Sequence, residues 1–399
     1  MFKLPVYLDY NATTPCDPEV LEAMMPYFTQ QFGNAASRNH VFGWHAREAV
    51  NYAREQVAKL IGADPTEIIF TSGATESDNL ALKGVFETYA IKGNLPAGQP
   101  GHIITCAIEH KAVLDPCRHL EKQGAEVTYL NVKENGLIDL NELERAFTPT
   151  TILVSIMYAN NEIGTIMPIK KISKIAKRKG VLLFTDATQA IGKISVDVND
   201  DGIDLMAFSA HKMYGPKGVG ALYVRRKSPR VKLTAQIDGG GHERGMRSGT
   251  LNVPGIVGFG KACEICMKEM SSEINKISSF RDKLETALLN IEDTSLNGDK
   301  KHRLPNVSNI CFKNAESESL VASLNKNIAI STGSACMSAS LEPSYVLKAM
   351  GLNDDMARSS IRFSLGRYTT EEEVQYTIDQ VTDAVNKLKE INQQLEPKN

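Results

Sequence analysis

Short apolar runs alternate with longer amphipathic segments through much of the chain. The runs predict strands at 67–70, 102–105, 127–130, 152–157, 181–185, 205–208 and 221–224. Between several of them, apolar residues recur at helical spacing, as at 79–90, 140–147 and 169–179. Strands and helices in alternation favour a mostly parallel sheet with helices on both faces. The pattern therefore predicts an α/β fold built on a seven-stranded, mostly parallel sheet.

The pattern changes after about residue 262. A long polar helix is predicted at 268–290, strands follow near 308–312 and 359–364, and the chain ends in another long helix. This grouping of helices and strands differs from the regular alternation that precedes it. It predicts a second, smaller α+β domain beside the large one.

Length and charge narrow the class of protein. A chain of 399 residues is long enough for roughly two or three domains with well-buried cores. Its net charge of −2 gives no electrostatic reason to expect nucleic acid or an anionic membrane as a partner. No run approaches the about 18 apolar residues of a membrane span, and residues 1–10 have no signal-peptide core. We therefore expect a cytoplasmic enzyme.

The seven cysteines are spread along the chain and do not form the pattern of a disulfide framework. Cys263 and Cys266 have metal-ligand spacing, but no second pair matches them and they lie in a helical pattern. We interpret them as packing residues. Cys336 instead lies among the small side chains of segment 331–340, where a reactive thiol is favoured over a structural one.

The strongest chemical signal is a lysine that follows an apolar run. Lys212 comes just after the predicted strand at 205–208, and Asp186 directly follows the run at 181–185. A lysine in such a place is usually solvated, but a lysine amine can also form a Schiff base with an aldehyde cofactor. Pyridoxal phosphate (PLP) needs that lysine and commonly an acidic partner for its ring nitrogen. Two adjacent strands ending in these residues would supply both groups.

Other polar segments also follow predicted strands, where ligands bind in such sheets. Segment 71–77 leads into a helix and could seat a phosphate on its free amides, or be an ordinary helix cap. His110 could stack on a planar ring or be a surface residue. Segment 160–164 could hydrogen-bond a cofactor or simply form a turn. These segments leave the ligand open but place polar groups at one edge of the sheet.

Taken in order, the motifs resemble those of the NifS/IscS-type cysteine desulfurases over nearly the full chain. The matching segments are 7–15, 71–77, 109–111, 160–164, 185–189, 209–212, 247–250, 333–336 and 361–365. The resemblance implies a PLP enzyme of fold type I in the class V aminotransferase family. It also implies a homodimer with its sites near the subunit interface. The implied reaction converts L-cysteine to L-alanine and leaves a persulfide on the enzyme.

The resemblance assigns roles to individual residues. Lys212 would link to PLP, Asp186 would hold the ring nitrogen, and His110 would stack on the ring and act as an acid or base. Further PLP contacts would come from Ala74, Thr75, Asn161, Gln189, Ser209, His211 and, in the other subunit, Thr250. Arg362, together with Asn161, would bind the substrate carboxylate. Cys336 would form the persulfide.

The resemblance also carries expectations about domains and partners. We expect a large PLP-binding domain at 15–261, and a small domain at 1–14 and 262–399 that carries a mobile cysteine loop at about 331–342. The sulfur acceptor would be an iron–sulfur scaffold protein, with tRNA thiolation acceptors as further candidates. We expect no resident metal, and Cys336 is a candidate for transient iron–sulfur ligation.

Two alternatives compete with a cysteine desulfurase. The first is another PLP enzyme of the same fold, an aminotransferase or a selenocysteine lyase, which does not need a protein persulfide. The second is a non-catalytic sulfur-relay scaffold with a vestigial PLP site. The Cys336 segment argues against the first alternative, and the presence of Lys212, Asp186 and His110 argues against the second.

Overall fold

The computed structural model describes residues 2–93, 95, 99–313, 315–332 and 342–395. The strands are β1 Val6–Tyr7, β2 Ile68–Thr71, β3 His102–Cys106, β4 Glu126–Leu130, β5 Thr151–Ser155, β6 Leu182–Asp186, β7 Leu205–Ser209, β8 Gly220–Val224, β9 Thr294–Asn297, β10 Val307–Phe312, β11 Ile328–Ala329, β12 Ser331–Thr332 and β13 Ser360–Ser364. The helices are α1 Pro18–Met24, α2 Pro26–Thr29, α3 Val41–Leu60, α4 Ala74–Val85, α5 Lys111–Glu121, α6 Leu140–Ala146, α7 Ile169–Lys179, α8 Val253–Leu289, α9 Ser317–Leu324, α10 Tyr345–Ala349, α11 Asp354–Arg358 and α12 Glu371–Leu395.

The largest sheet in the described part of the chain has seven strands in the order β2-β8-β7-β6-β5-β3-β4. Strands β3, β4, β5, β6 and β7 pair in parallel, whereas β8 runs antiparallel to both of its neighbours. The predicted α/β class and the mostly parallel seven-stranded sheet are therefore confirmed. The seven apolar runs correspond to these seven strands, with ends shifted by one or two residues.

Two layers of helices cover this sheet. Alternate residues of β6 point to opposite faces, so that Leu182 and Phe184 join one apolar cluster while Leu183 joins the other. The first cluster includes side chains of α4 and α5, and the second includes side chains of α3, α7 and α8. A fully buried Phe or Leu contributes about 1.5–3 kcal/mol, so burial on both faces holds the strand ends in fixed positions.

A second sheet, with the order β12-β13-β10-β9, packs on α8, α9 and α12 through the apolar cluster that contains Leu284, Ile310, Phe363 and Val381. The strands predicted near 308–312 and 359–364 and the long final helix are present. The boundary predicted at residue 261 falls inside α8, which is continuous. The two-domain division stays a prediction.

Helix α8 is longer than the predicted segment 268–290, because it begins at Val253. Its first turns contain Gly258 and Gly260, which lower intrinsic helix propensity. A Cβ atom on Gly258 would lie 2.5 Å from the sulfur of Met24, and one on Gly260 would lie 2.6 Å from the Cα of Ala53. These glycines therefore let α8 pack directly on α1 and α3, and that tertiary contact outweighs the propensity.

The N-terminal segment crosses from the small sheet to the edge of the large one. Strand β1 pairs with β11, and the backbone N–H of Asn11 donates to Ser364 Oγ of β13 at 2.9 Å. Residues 11–13 then lie at the carboxyl ends of the parallel strands. Within the residues that the structure describes, no helix combines the length and the hydropathy needed to cross a bilayer.

Candidate active site

A cavity of about 580 Å³ opens at the carboxyl ends of the parallel strands. Its lining includes ten of the residues that the sequence predicts for the site: Ala74, Thr75, His110, Asn161, Asp186, Gln189, Ser209, His211, Lys212 and Arg362. They come from separate segments spread over most of the chain. The fold therefore brings the predicted PLP-binding and substrate-binding residues to one place.

Lys212 lies in a short 3-10 turn directly after β7. Its Nζ atom donates to the backbone carbonyls of Asn11 at 2.7 Å and Ala12 at 2.6 Å. The neighbouring His211 places Nδ1 3.1 Å from Thr13 Oγ1, and burial next to Lys212 lowers the pKa of His211 to about 4. His211 is therefore neutral at physiological pH, and the amine of Lys212 is held at a defined position on the N-terminal segment.

Asp186 is the last residue of β6, is only 7% exposed, and accepts a hydrogen bond from the backbone N–H of Thr188 at 2.9 Å. Two further buried carboxyl groups, Asp78 and Glu109, lie near it. Burial, followed by the negative charges of Asp186 and Glu109, raises the pKa of Asp78 well above its ordinary value. A neutral Asp78 avoids a second buried negative charge beside Asp186.

His110 caps the amino end of α5. Its Nδ1 atom accepts a hydrogen bond from the backbone N–H of Ala112 at 3.1 Å. Burial lowers the pKa of His110, opposed by the charge of Asp186 and assisted by that of Lys212. The ring is therefore neutral near pH 7, and because Nδ1 is an acceptor, its proton lies on Nε2.

The turn from β2 into α4 forms the end of the cavity suited to an anion. Gly73 is the N-cap of α4 and has no side chain. No side chain at the N-cap therefore accepts a hydrogen bond from the backbone amides of the first turn. Glu76, which the sequence could have assigned to the cap, accepts from Ser72 N–H at 2.9 Å and from Arg247 Nε at 2.8 Å. Free amides at a helix start bind phosphate well, so the structure favours a phosphate seat over an ordinary cap.

Arg362 of β13 approaches the cavity from the small sheet and is 2% exposed. Its Nη1 atom donates to the carbonyl of Asn161 at 3.1 Å and its Nη2 atom donates to Asp9 Oδ1 at 2.5 Å. The Nε atom of Arg362 and the Oδ1 atom of Asn161 are buried without a hydrogen-bond partner among the described residues. Buried polar atoms need partners, so these two are poised to bind a polar ligand.

Comparison with known proteins identifies the family. The Aminotransferase class-V profile matches residues 6–377. The chain belongs to the class-V aminotransferase family. Cysteine desulfurase IscS of Pectobacterium carotovorum is 56% identical over 392 residues, which cover 98% of this chain and 95% of the relative. Cysteine desulfurase IscS of Escherichia coli has the same identity and coverage.

Solved structures agree with this family. A NifS-like protein superposes with a TM-score of 0.88 at 40% identity, covering 96% of this chain and 100% of the other. SspA in complex with cysteine superposes with a TM-score of 0.79 at 38% identity, covering 92% and 100%. This class-V enzyme therefore shares its architecture with those proteins along nearly its whole length.

PLP is the cofactor of this class-V enzyme, and the cavity fits its chemistry. Lys212 offers an amine for the aldehyde, Asp186 offers a carboxylate for the ring nitrogen, and the start of α4 offers amides for the phosphate. The buried hydroxyl of Thr188 also has no hydrogen-bond partner among the residues described. These groups are of the kinds that a ring with a phosphate, an aldehyde and a basic nitrogen would occupy.

Several residues of this class-V site were not predicted. Asn11 and Ala12 hold the amine of Lys212, Asp9 pairs with Arg362, and Asp78 lies near Asp186. Asn11 and Asp9 belong to the matching segment 7–15, which gave no indication of contact with Lys212. Asp78 follows segment 71–77, and its 0% exposure depends on the packing of α4 against the sheet. A polar residue in an otherwise apolar helix face was the one available signal for it.

A second cavity, of about 620 Å³, adjoins the first and shares His110 and Asn161 with it. Its lining includes Glu162, which is buried and accepts from Ser344 Oγ at 2.6 Å. Burial raises the pKa of Glu162 to about 7, despite its bond to Ser344 and the charge of Arg362. The chain that follows residue 341 in this class-V enzyme is therefore tied directly beside the catalytic cavity.

One predicted site residue does not line the cavity of its own chain, and another lies outside the described residues. Thr250 is exposed and does not line the cavity of its own chain. Cys336 and the rest of segment 333–341 lie outside the described residues. Cys263 and Cys266 are buried in α8, where burial raises the pKa of both thiols, as expected of packing residues in this class-V enzyme.

Proposed function

We propose that this class-V enzyme is a cysteine desulfurase that converts L-cysteine to L-alanine and donates the sulfur for iron–sulfur cluster assembly. One observation carries the proposal. One cavity is lined both by Lys212, which can move a proton, and by Arg362, which can bind a carboxylate. The chain that forms it is 56% identical to proteins named cysteine desulfurase IscS. An amino-acid substrate needs both groups.

In the proposed reaction Arg362 binds the carboxylate of cysteine. Its guanidinium is buried, and its free Nε atom adds a donor to those already directed at Asp9 and Asn161. Charge-assisted hydrogen bonds of this kind are strong and fix the orientation of a substrate. Bound PLP supplies the electron sink that stabilises negative charge on the substrate α-carbon.

Lys212 is the proposed acid and base at the α-carbon. Its amine rests on the carbonyls of Asn11 and Ala12, which keep it close to the cavity when it is not linked to the cofactor. His110 carries its proton on Nε2, and this N–H group is suited to donate a hydrogen bond to the substrate sulfur. The thiolate of Cys336 then attacks that sulfur. The new S–S bond forms as the substrate C–S bond breaks, the electron pair stays with the substrate carbon, and protonation yields alanine.

Product analysis tests the reaction. The purified enzyme with PLP, L-cysteine and a thiol reductant should form alanine and sulfide in equal amounts, because each C–S cleavage yields one of each. L-Serine has the same shape with oxygen in place of sulfur and should give no alanine. Formation of a keto acid would favour an aminotransferase, and turnover of L-selenocysteine without that of L-cysteine would favour a lyase.

We also propose a homodimer. A set of large apolar side chains from α1, α2, α3 and their connections is 46–64% exposed: Leu21, Met25, Phe28, Phe32, Val41, Phe42, Trp44 and Tyr52. The rings of Phe32 and Phe42 are in contact at 5.3 Å. Exposed apolar groups in such number are typical of an interface. In such a dimer, the exposed Thr250 of one subunit would contribute to the phosphate site of the other subunit.

Sedimentation tests the dimer. The wild-type protein should sediment as a dimer, and Phe32→Asp should shift it toward monomer and weaken PLP binding about tenfold or more, because a charge would be buried in the interface. Ile391→Asp is the matched control, since Ile391 is equally apolar and 51% exposed on α12. A fully active wild-type monomer would exclude a site shared between subunits.

The proposal also covers the sulfur acceptor, the cellular location and the division of the chain into domains. We propose an iron–sulfur scaffold protein as the principal sulfur acceptor, with tRNA thiolation acceptors second, and Cys336 as a transient cluster ligand during transfer. A cytoplasmic location and the boundary between the large and small domains stay predictions from the sequence.

A further inference from the structure

Segment 243–250 is attached on both sides of the turn that forms the phosphate seat, and the functions described so far do not use its charged side chains. The turn at 72–75 joins β2 to α4. Glu243 accepts a hydrogen bond from the backbone of β2, and Arg247 donates to Glu76 of α4. The segment therefore connects the two elements that hold the seat.

Glu243 fixes the beginning of this segment. Its Oε1 atom accepts from Arg54 Nη2 at 2.7 Å, and its Oε2 atom accepts from Arg54 Nη1 at 2.7 Å and from the backbone N–H of Phe70 at 2.8 Å. The side chains of Arg54 and Glu243 are only 8% and 2% exposed. A buried ion pair that is doubly hydrogen-bonded has a well-defined geometry. The segment is therefore held firmly against β2, which is the edge strand of the large sheet.

The backbone at this attachment has an unfavourable conformation. Glu243 has a φ of 46° and Arg244 a φ of 58°, in the left-handed region that side chains with a Cβ atom disfavour. Arg244 Nη1 also donates to the backbone carbonyl of Ile68 at 3.0 Å, which adds a second bond to β2. Such a conformation persists only where surrounding contacts impose it. The place of Arg247 is therefore determined by these contacts.

Arg247 holds Glu76 through two nitrogen atoms. Its Nε atom donates to Glu76 Oε1 at 2.8 Å, and its Nη2 atom donates to Glu76 Oε2 at 3.3 Å. The same Oε2 atom accepts from the backbone N–H of Ser72 at 2.9 Å. Both oxygens of Glu76 are therefore bonded to partners that lie outside α4.

The charge of Glu76 is unfavourable for an anionic ligand, because Glu76 lines the cavity and lies in the first turn of α4. Burial alone would raise the pKa of Glu76, but the hydrogen bonds from Arg247 and Ser72 outweigh burial and lower the pKa below its ordinary value. Glu76 is therefore ionised near pH 7. An unpaired carboxylate at this place would repel a phosphate group, and the guanidinium of Arg247 supplies the compensating charge.

We propose that Arg247 is a positioning residue for the phosphate group of the cofactor. It neutralises Glu76 and fixes its side chain, so that the first-turn amides of α4 can bind the phosphate without repulsion. In this role Arg247 acts through Glu76 and does not contact the phosphate itself. The inference rests on PLP as the cofactor, and it depends neither on the proposed desulfurase activity nor on the proposed dimer.

Binding of PLP and of pyridoxal to the apoenzyme tests the proposal, because pyridoxal has the same ring and aldehyde but no phosphate. Arg247→Met removes the guanidinium and leaves Glu76 ionised and unpaired. We expect its affinity for PLP to fall about tenfold, the size expected of one uncompensated charge in a partly exposed site, and its affinity for pyridoxal to change less than about twofold. Inorganic phosphate should compete with PLP about tenfold less well in Arg247→Met than in the wild type.

The double variant Arg247→Met/Glu76→Gln separates the charge effect from other roles. The introduced amide oxygen can still accept from Ser72 but carries no charge, so the affinity for PLP should return to within about threefold of the wild type. A purely structural role of Arg247, or direct contact between Arg247 and the phosphate, would leave the double variant as weak as Arg247→Met and would overturn the proposal. Unchanged PLP affinity in Arg247→Met, or an equal loss for pyridoxal, would overturn it as well.

Arg225→Met is the matched control. Arg225 forms an ion pair with Asp204 at 3.3 Å, and both side chains are 14% exposed, close to the 20% and 17% of Arg247 and Glu76. Asp204 directly precedes β7, at the end of the strand opposite the cavity, so this variant should bind both ligands as the wild type does. Sedimentation of each variant identifies any loss of affinity that comes from dissociated subunits. Glu76→Gln alone should bind PLP at least as tightly as the wild type, and weaker binding there would overturn the proposal even if Arg247→Met does not fold.

Discussion

Cys336→Ser should retain bound PLP and still respond spectrally to L-cysteine, yet form almost no alanine. Serine has nearly the volume of cysteine, but its hydroxyl is almost wholly protonated near neutral pH and is a poor nucleophile toward sulfur. The groups expected to hold PLP, among them Lys212 and Asp186, come from other segments of the chain. We expect alanine formation to fall by on the order of 100-fold or more, with PLP content unchanged.

The matched controls are the two buried thiols of α8. Cys263→Ser and Cys266→Ser change the same atom in residues that are 0% and 1% exposed, so they should alter stability more than turnover. In the wild type, labelled cysteine followed by peptide mass analysis should place the additional sulfur on Cys336. Alanine formation by Cys336→Ser at the wild-type rate would exclude a persulfide mechanism and leave the lyase as the better description.

Lys212→Ala should abolish covalent PLP binding and turnover together. The substitution removes the amine that donates to the backbone carbonyls of Asn11 and Ala12, and it leaves the apolar packing of β7 unchanged. Loss of a positioned acid or base alone costs about 10²–10⁴ in rate, and loss of the cofactor link adds to that. The variant should lose the absorbance band of covalently bound PLP and keep its far-ultraviolet circular dichroism.

Peptide mapping gives the decisive measurement for that variant. After reduction with borohydride, the wild-type protein should carry the PLP mass on the peptide containing Lys212. Lys174→Ala removes an exposed lysine of α7 and should retain both the band and the activity. A band and activity that persist in Lys212→Ala would show that another lysine binds the cofactor.

The features that followed local pattern could be predicted from the sequence. Each strand of the large sheet is buried on both faces and appears as an apolar run, and ligands bind where such runs end. Lys212 and Asp186 could therefore be placed from the ends of two runs. The helix start after β2 was also recognisable, although the choice between a phosphate seat and a cap needed the observed role of Glu76.

The features that depend on distant contacts could not be predicted. The contact between Asn11 and Lys212 joins residues 201 positions apart along the chain, and the pattern of apolar and polar residues does not predict it. The first half of α8 was not predicted as helix, because its glycines lower helix propensity. The same glycines make its packing against α3 possible.

The path of the N-terminal segment has a consequence for synthesis of the protein. Asn11 is synthesised long before Ser364 of β13, yet its place beside Lys212 depends on Ser364 and on the pairing of β1 with β11. A ribosome must therefore pass residue 364 before the acceptors of the catalytic amine can be fixed. A nascent or truncated chain that already contains Lys212 would lack both those acceptors and Arg362. Capture of the cofactor is thus expected only after residue 364 has been synthesised.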